Sequence, residues 1–305
     1  MAITTGLVPD NYIKISVVIP IANLPLHRQN VLDLILTARE IDAEIILVFD
    51  GATQDEILEM QGMILDQKKD IIIISTTCNN PGGSRNLGKA NATGKWITFW
   101  DCDDSPNAKE VRSMIIEADS LKCEAAIGRF NTIFLHEDMK KVSSKLSREL
   151  TTSNWQFAVG LTPGIWRFAF ITSIAKNFEF PELRMGEDQV FIGKFFSKDR
   201  QVHLSKRVSY NYMVGINSQL TRDSTTVNDK ILSAEMLSQE FDSSSEYFSK
   251  LKFTMLTKMY LSIFKLHELP IRLRIRNLIQ ALNCMLSNPN LFFRLAAYLC
   301  REKAN

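Results

Sequence analysis

Four short apolar runs constrain this chain more than anything else in it: Ile15–Ile19 (ISVVI), Glu44–Phe49 (EIILVF), Asp70–Ser75 (DIIIIS) and Trp96–Trp100 (WITFW). Each is rich in β-branched or aromatic residues and too short for a core helix, so each reads as a buried strand. Between them lie stretches of helical period: 26–40, with Val31, Leu34, Ile35 and Ala38 on one face, and 53–67. Strands alternating with helices predict an α/β fold, a mostly parallel sheet with helices on both faces. Ligands on such sheets bind beyond the carboxyl ends of the strands. There this chain places Pro20, Asp50-Gly51 and Asp101-Cys102-Asp103-Asp104. Past about residue 125 the pattern loosens. Ala125–Phe134 reads as a further strand, 138–160 as polar helix or loop, and 189–197 as helix. Residues 229–300 are largely helical, broken at Leu269-Pro270 and Asn288-Pro289. The sheet region is expected to give way to a helical appendage near residue 225.

Composition narrows the classes of function. The 305 residues are 45% hydrophobic and 23% charged, as in ordinary globular proteins. A net charge of +2 is too small to argue for nucleic acid as the main partner, and none is expected. The charge is uneven, however: Lys250–Asn305 holds 10 Lys and Arg against 2 Asp and Glu. Five cysteines without a CxxC pair fit a reduced, cytoplasmic setting. The first residues lack a signal-peptide pattern, and no apolar run reaches the roughly 18–20 residues of a membrane span.

The chemistry concentrates in three segments. In Asp101-Cys102-Asp103-Asp104 the carboxylates repel one another unless a cation or a donor neutralises them. Mg²⁺ and Mn²⁺ favour such oxygens and typically share them with substrate phosphates. A solvated acidic turn capping the next helix is the alternative. Upstream, in Pro81-Gly82-Gly83-Ser84-Arg85, the glycines let backbone approach a ligand and Arg85 can pair with phosphate. A plain turn into a short helix competes with this. Gly83–Lys89 also fits the G-x-x-x-x-G-K phosphate loop, but Ala90 stands where Ser or Thr should bind magnesium. Downstream, Gly186-Glu187-Asp188 precedes an apolar helix, either as an N-terminal acidic cap or as a general base aimed into a pocket. Asp50 can accept hydrogen bonds from a nucleobase or ribose, or can simply form a turn with Gly51.

In order, the VVIP strand, LVFDGAT, GGSRNLGKANATGKWITFWDCDD and GEDQVF resemble the family 2 glycosyltransferases of the GT-A fold over residues 14–215. The resemblance implies a Rossmann-like mixed sheet forming a catalytic domain over 1–224. Its nucleotide-binding half would be 14–105 and its acceptor half 106–224, with a helical region over 225–305. It implies an inverting transfer of a sugar, UDP-linked, from a nucleoside diphosphate sugar to a hydroxyl of a glycan or lipid-linked glycan. Mn²⁺ or Mg²⁺ would be the cofactor. Pro20, Ile21 and Ala22 would border the base pocket, and Asp50 would contact the nucleobase. Gly83, Arg85, Asp101, Cys102 and Asp103 would lie along the nucleotide sugar. Asp101, Asp103 and Asp104 would hold the metal, Asp103 foremost. Asp188 would be the general base with Glu187 beside it. Phe49 and Ala22 depart from the family pattern, which usually has Asp and an aromatic there. No Gln-x-x-Arg-Trp signature is evident, which argues against a processive membrane synthase. A sugar-phosphate nucleotidyltransferase, or a degenerate domain serving as a binding or assembly subunit, are the rival readings.

Further candidates are His203, for metal or phosphate or else a structural role; Tyr210, Tyr212 and Arg222, closing over the donor; and Trp166 and Arg167, on the acceptor side. The basic tail, mixing Phe253, Leu256, Tyr260 and Ile263 with Lys258, Arg272, Arg274 and Arg276, admits two readings. It packs on the catalytic domain or a second subunit of a homo-oligomer, or it lies as a basic amphipathic element on the inner face of the cytoplasmic membrane.

Overall fold

The structure, a computed structural model, describes residues 13–64, 71–135, 142–215, 224–239, 246–267 and 269–303. Its first half alternates as the apolar runs predict: β1 (Ile15–Ala22), α1 (Leu24–Arg39), β2 (Glu44–Asp50), α2 (Gln54–Met63), β3 (Ile71–Thr76), α3 (Pro81–Asn91) and β4 (Trp96–Phe99). Strands β3-β2-β1-β4 pair in parallel in that spatial order. α2 begins on a capping box, in which the Thr53 side chain accepts from the Glu56 N–H and the Glu56 carboxylate from the Thr53 N–H.

The second half extends the same sheet with reversed strands. After the two-residue β5 (Ser105–Pro106) and α4 (Ala108–Ser120) come β6 (Ala125–Leu135), β7 (Val142–Leu146), α5 (Trp155–Leu161), β8 (Phe168–Ile171), the one-turn α6 (Thr172–Ala175), α7 (Glu187–Phe195) and β9 (Val202–Val214). β8 runs antiparallel between β4 and β6, and β9 lies parallel to β6 on its other side. One expectation changes here: the segment read as helix or loop contains β7, a polar edge strand antiparallel to β6. Tyr210 and Tyr212 lie within β9.

Alternate strand residues feed two apolar layers, because successive side chains point to opposite faces. Val17, Ile19, Ile45, Leu47 and Trp96 meet α1, α2 and α4 on one face. Val18, Ile46, Val48, Ile97 and Phe99 join a cluster with α7 and the C-terminal helices α8 (Val227–Gln239) and α9 (Glu246–Phe264) on the other. α9 is buried nearly all round: Leu251, Met255, Leu256, Met259, Tyr260 and Ile263 all lie in the interior. The expected change near residue 225 therefore does not coincide with a break in the core. Helices α10 (Ile271–Ser287) and α11 (Pro289–Lys303) pack outside α9.

Candidate active site

A cavity of about 900 Å³ opens where the parallel strands end. Pro20, Ile21, Ala22, Asp50, Asp101, Cys102 and Asp103 line one part of it. Pro20 is tolerated in this central strand because the pairing of β1 with β4 stops at Val18 and Phe99. Its missing N–H therefore breaks no bond in that ladder. Asp50 lines the cavity and also builds its wall. Its Oδ1 accepts from the Asn79 N–H (2.9 Å); its Oδ2 accepts from the Asn80 N–H (3.0 Å) and the Ser84 hydroxyl (3.1 Å). Those bonds fix the turn that launches α3, whose N-terminus Asn80 then caps through the Gly83 N–H (2.6 Å).

One face of α3 clasps the segment leading to Glu187 and Asp188. A Cβ on Gly82 would lie 2.0 Å from the Pro181 carbonyl oxygen, so only glycine permits the approach. Asn86 donates to the Phe180 carbonyl (2.8 Å) and accepts from its N–H (2.9 Å), and Lys89 donates to the Phe178 carbonyl. The spacing 82, 86, 89 is one helical stripe. Two expectations are corrected by this clasp. Gly83 is buried outside the cavity lining, and its missing side chain makes room for Cys78 (3.1 Å from a built Cβ), not for a ligand. The phosphate-loop reading fails because Lys89 is 2% exposed and spends its ammonium on that loop.

Arg85, next on the same face, joins the two acidic segments. Its Nη2 donates to Asp101 Oδ1 (2.7 Å) and its Nη1 to Glu187 Oε1. Arg85 and Glu187 are buried. Burial opposes the charge on Arg85, but Asp101, Glu187 and Asp188 together outweigh it and hold the guanidinium above its ordinary range. The residues at 101 and 187 thus meet through one fork-shaped cation.

The 101–104 turn is braced from two elements, α1 and β9. Asn30 of α1 donates to the Cys102 carbonyl (2.6 Å), the Asp101 N–H donates to the Tyr210 hydroxyl (3.0 Å), and Asp104 Oδ1 accepts from the Met213 N–H (2.7 Å). Asp104 is only 2% exposed and lies outside the cavity lining. Its Oδ1 ties the turn to β9. Asp103 lines the cavity, where burial and then neighbouring Asp101 push its carboxyl up to about 6. The same two causes make a cation favourable beside it.

Gly186 sits at φ 90°, the left-handed region that admits glycine readily, and a Cβ there would meet the Ser233 hydroxyl at 2.3 Å. The turn places Glu187 and Asp188 in the first turn of α7, where the helix dipole favours negative charge. Asp188 lines the cavity, its Oδ1 accepting from the Gln189 N–H (2.7 Å). Burial first, then Glu187, raises its carboxyl to about 7.

Other candidates separate. His203 stands at the start of β9, far along the strand from Met213, the partner of Asp104, and its Nε2 pairs with Glu117 at 3.0 Å. The structure does not bring it to the acidic cluster. Among the described residues no group of three or more His, Cys, Asp or Glu side chains could hold a metal alone, so the four-residue ligand set Asp101, Asp103, Asp104 and His203 is not assembled. Arg167 is also corrected: it is buried outside the lining, donating to the Gly128 carbonyl (3.2 and 3.1 Å), with burial lowering its guanidinium to about 9. Trp166 and Tyr212 do line the cavity, and Trp166 stacks on Tyr212 (5.3 Å) and on Tyr210 (4.6 Å). Arg222 lies outside the described residues. Sequence reasoning missed Asn30, the bracing role of Tyr210, and the α9 residues Lys258, Met259 and Ser262, which line the cavity. No local motif marks those α9 residues; only packing brings them there.

Comparison with known proteins gives a consistent picture. The model of the family described as glycosyl transferase family 2 matches residues 16–200. The succinoglycan biosynthesis protein ExoO of Rhizobium meliloti is 23% identical over 182 residues, 55% of this chain and 52% of that protein, so the chain spans about half of this curated relative. Staphylococcus aureus TarS 1–349, solved in complex with UDP-GlcNAc, superposes with TM-score 0.63 at 18% identity, covering 89% of this chain and 79% of TarS 1–349. The mannosyltransferase PcManGT from Pyrobaculum calidifontis, solved with GDP-Man and Mn²⁺, gives 0.57 at 13% identity, covering 98% and 82%. These likenesses show the fold, GT-A.

Proposed function

This chain belongs to glycosyl transferase family 2, and from that premise we propose that it transfers a sugar, with inversion, from a UDP-linked donor to a hydroxyl of a glycan or lipid-linked glycan. The observation that carries the reading is the Arg85 fork, which sets Asp103 and Asp188 on one cavity wall system. Asp188, raised to about 7, is matched to remove a proton near neutral pH. It takes the proton of the acceptor hydroxyl as that oxygen bonds to the anomeric carbon. The bond from that carbon to the phosphate oxygen breaks, and the nucleoside diphosphate leaves with the electron pair. Arg85 and Glu187 position the base and keep the acidic walls from separating. Trp166 and Tyr212 offer a flat apolar wall to a sugar ring.

The residues present fit a divalent ion. Asp103 would hold it with Asp101 behind, and donor diphosphate oxygens would complete a shell that the protein alone does not supply. Bound there, such an ion neutralises charge on the departing diphosphate. The donor is read as UDP-linked because TarS is solved with UDP-GlcNAc, and polysaccharide assembly as the setting because ExoO serves succinoglycan biosynthesis.

A thermal-shift series with UDP-glucose, UDP-GlcNAc and GDP-mannose, each with and without Mn²⁺, tests this. Binding at 100 times Kd stabilises the native state by about 2.7 kcal/mol. A Mn²⁺-dependent shift with a UDP-sugar is expected. No shift with any sugar nucleotide would overturn the reading, and a shift with GDP-mannose alone would overturn the choice of UDP.

A further inference from the structure

The tail's apolar residues divide between two fates. Those of α9 fill the core, whereas those of α10 leave a stripe facing outward. Ile271 (60%), Ile275 (47%), Ile279 (50%), Leu282 (46%) and Leu286 (77%) are all exposed. Their spacing of 4, 4, 3 and 4 puts them on one side of a helix. Asn277 and Ala281, which are buried, mark the opposite side, packed inward. Phe293 of α11 adds a further large exposed apolar group. Five large aliphatic groups on one exposed helix face are more than scattered surface apolar residues require.

The charge around the stripe says what would cover it. Residues 269–300 contain Arg272, Arg274, Arg276 and Arg294 and no Asp or Glu. Arg272 and Arg276 run along one edge of the stripe, and both are exposed. Arg276 reaches Glu235 only at 3.4 Å, both side chains being solvated. A second copy laid on this stripe would bring arginines against a helix face carrying no acid. An anionic bilayer surface supplies both the apolar depth and the counter-charge. Among the described residues no helix is long and apolar enough to cross a membrane, so contact through α10 would be interfacial.

We propose that the outward face of α10 docks this protein on an anionic lipid surface. The docking rests in no part on the reaction assigned above. α10 packs on α9, and α9 lines the cavity through Lys258, Met259 and Ser262, so one helix links the docking face to the cavity wall.

The test is co-sedimentation of the full chain with vesicles of phosphatidylcholine alone or with one third phosphatidylglycerol. Binding to the anionic vesicles is expected, weakening as NaCl rises. Arg272→Gln with Arg276→Gln should weaken it about fivefold per arginine. Ile275→Glu with Leu286→Glu should abolish it, with circular dichroism and melting unchanged because both sites are exposed. Equal binding to both vesicle types, no binding to either, or binding untouched by the paired glutamates would overturn the proposal. So would a dimer in sedimentation velocity that the same glutamates disperse without any vesicle binding by the parent chain.

Discussion

The 101–104 turn and the 186–188 turn are built from the same materials and are put to different uses. Each gives one carboxylate to Arg85, Asp101 in the first and Glu187 in the second. Each keeps a neighbour on the cavity, Asp103 and Asp188. The first turn is crowded with like charge and braced by Asn30, Tyr210 and Met213, so an added cation relieves it. The second lies on a helix N-terminus with fewer braces; burial and then Glu187 raise its carboxyl to about 7, as burial and then Asp101 raise that of Asp103 to about 6. An acidic pair therefore carries little meaning until its neighbours are known: in the proposed function the first would hold a metal and the second would take a proton.

The comparison breaks most severely if its shared tie is cut. Arg85→Ala leaves Asp101 and Glu187 facing each other without a cation, one of them buried. Removing one member of a buried ion pair typically costs about 3–5 kcal/mol. Denaturant unfolding should show a loss of that size, with Glu187→Gln in the same background restoring part of it. A loss under about 1 kcal/mol would mean the turns are held by other contacts.

Within the first turn, Asp103→Asn and Asp104→Asn should part company. The first should lower Mn²⁺-dependent transfer about a hundredfold or more, because a ligand to the charge-stabilising ion is lost. The second keeps an oxygen for the Met213 N–H, so transfer should stay within about threefold. Equal losses in initial-rate assays would erase the distinction.

The second turn can be read by pH. A base must be deprotonated to act, and the Asp188 carboxyl is raised to about 7. At saturating Mn²⁺, kcat/KM should therefore fall about tenfold per pH unit below 7 and level off above it. The sign for stability is opposite. A carboxyl raised in the folded state binds its proton more tightly there than when unfolded, so its contribution declines as pH rises from about 4 through 7. A flat rate profile down to pH 5 would place the base elsewhere.

The smallest effect belongs to His203. Its pairing with Glu117 is a partly solvated contact, worth about 0–1 kcal/mol. His203→Gln should leave transfer and metal response unchanged within about twofold. A lost Mn²⁺ response would return that residue to the site.

How far the sequence reached follows the locality of the interactions. β1, β2 and β3 were legible because central parallel strands are continuous apolar runs. The carboxyl-end acids were legible because they follow those runs directly. β7 (VSSKL) was not, since an edge strand facing solvent needs no apolar face. β8 (FAFI) is only four residues, too short to show a period. Gly82 was visible but misassigned: the stripe it forms with Asn86 and Lys89 meets residues 89 to 94 positions away through its two side-chain hydrogen bonds, and nothing local reveals that. The Asp104 tie was hidden in the same way, its partner Met213 lying 109 positions along the chain.

The most direct test of the whole account is Asp188→Asn, assayed side by side for transfer and for binding of the nucleotide sugar with Mn²⁺. The account predicts transfer reduced about 10²–10⁴-fold, with donor affinity within about threefold of the parent. Near-normal transfer by a variant that still binds donor would contradict it.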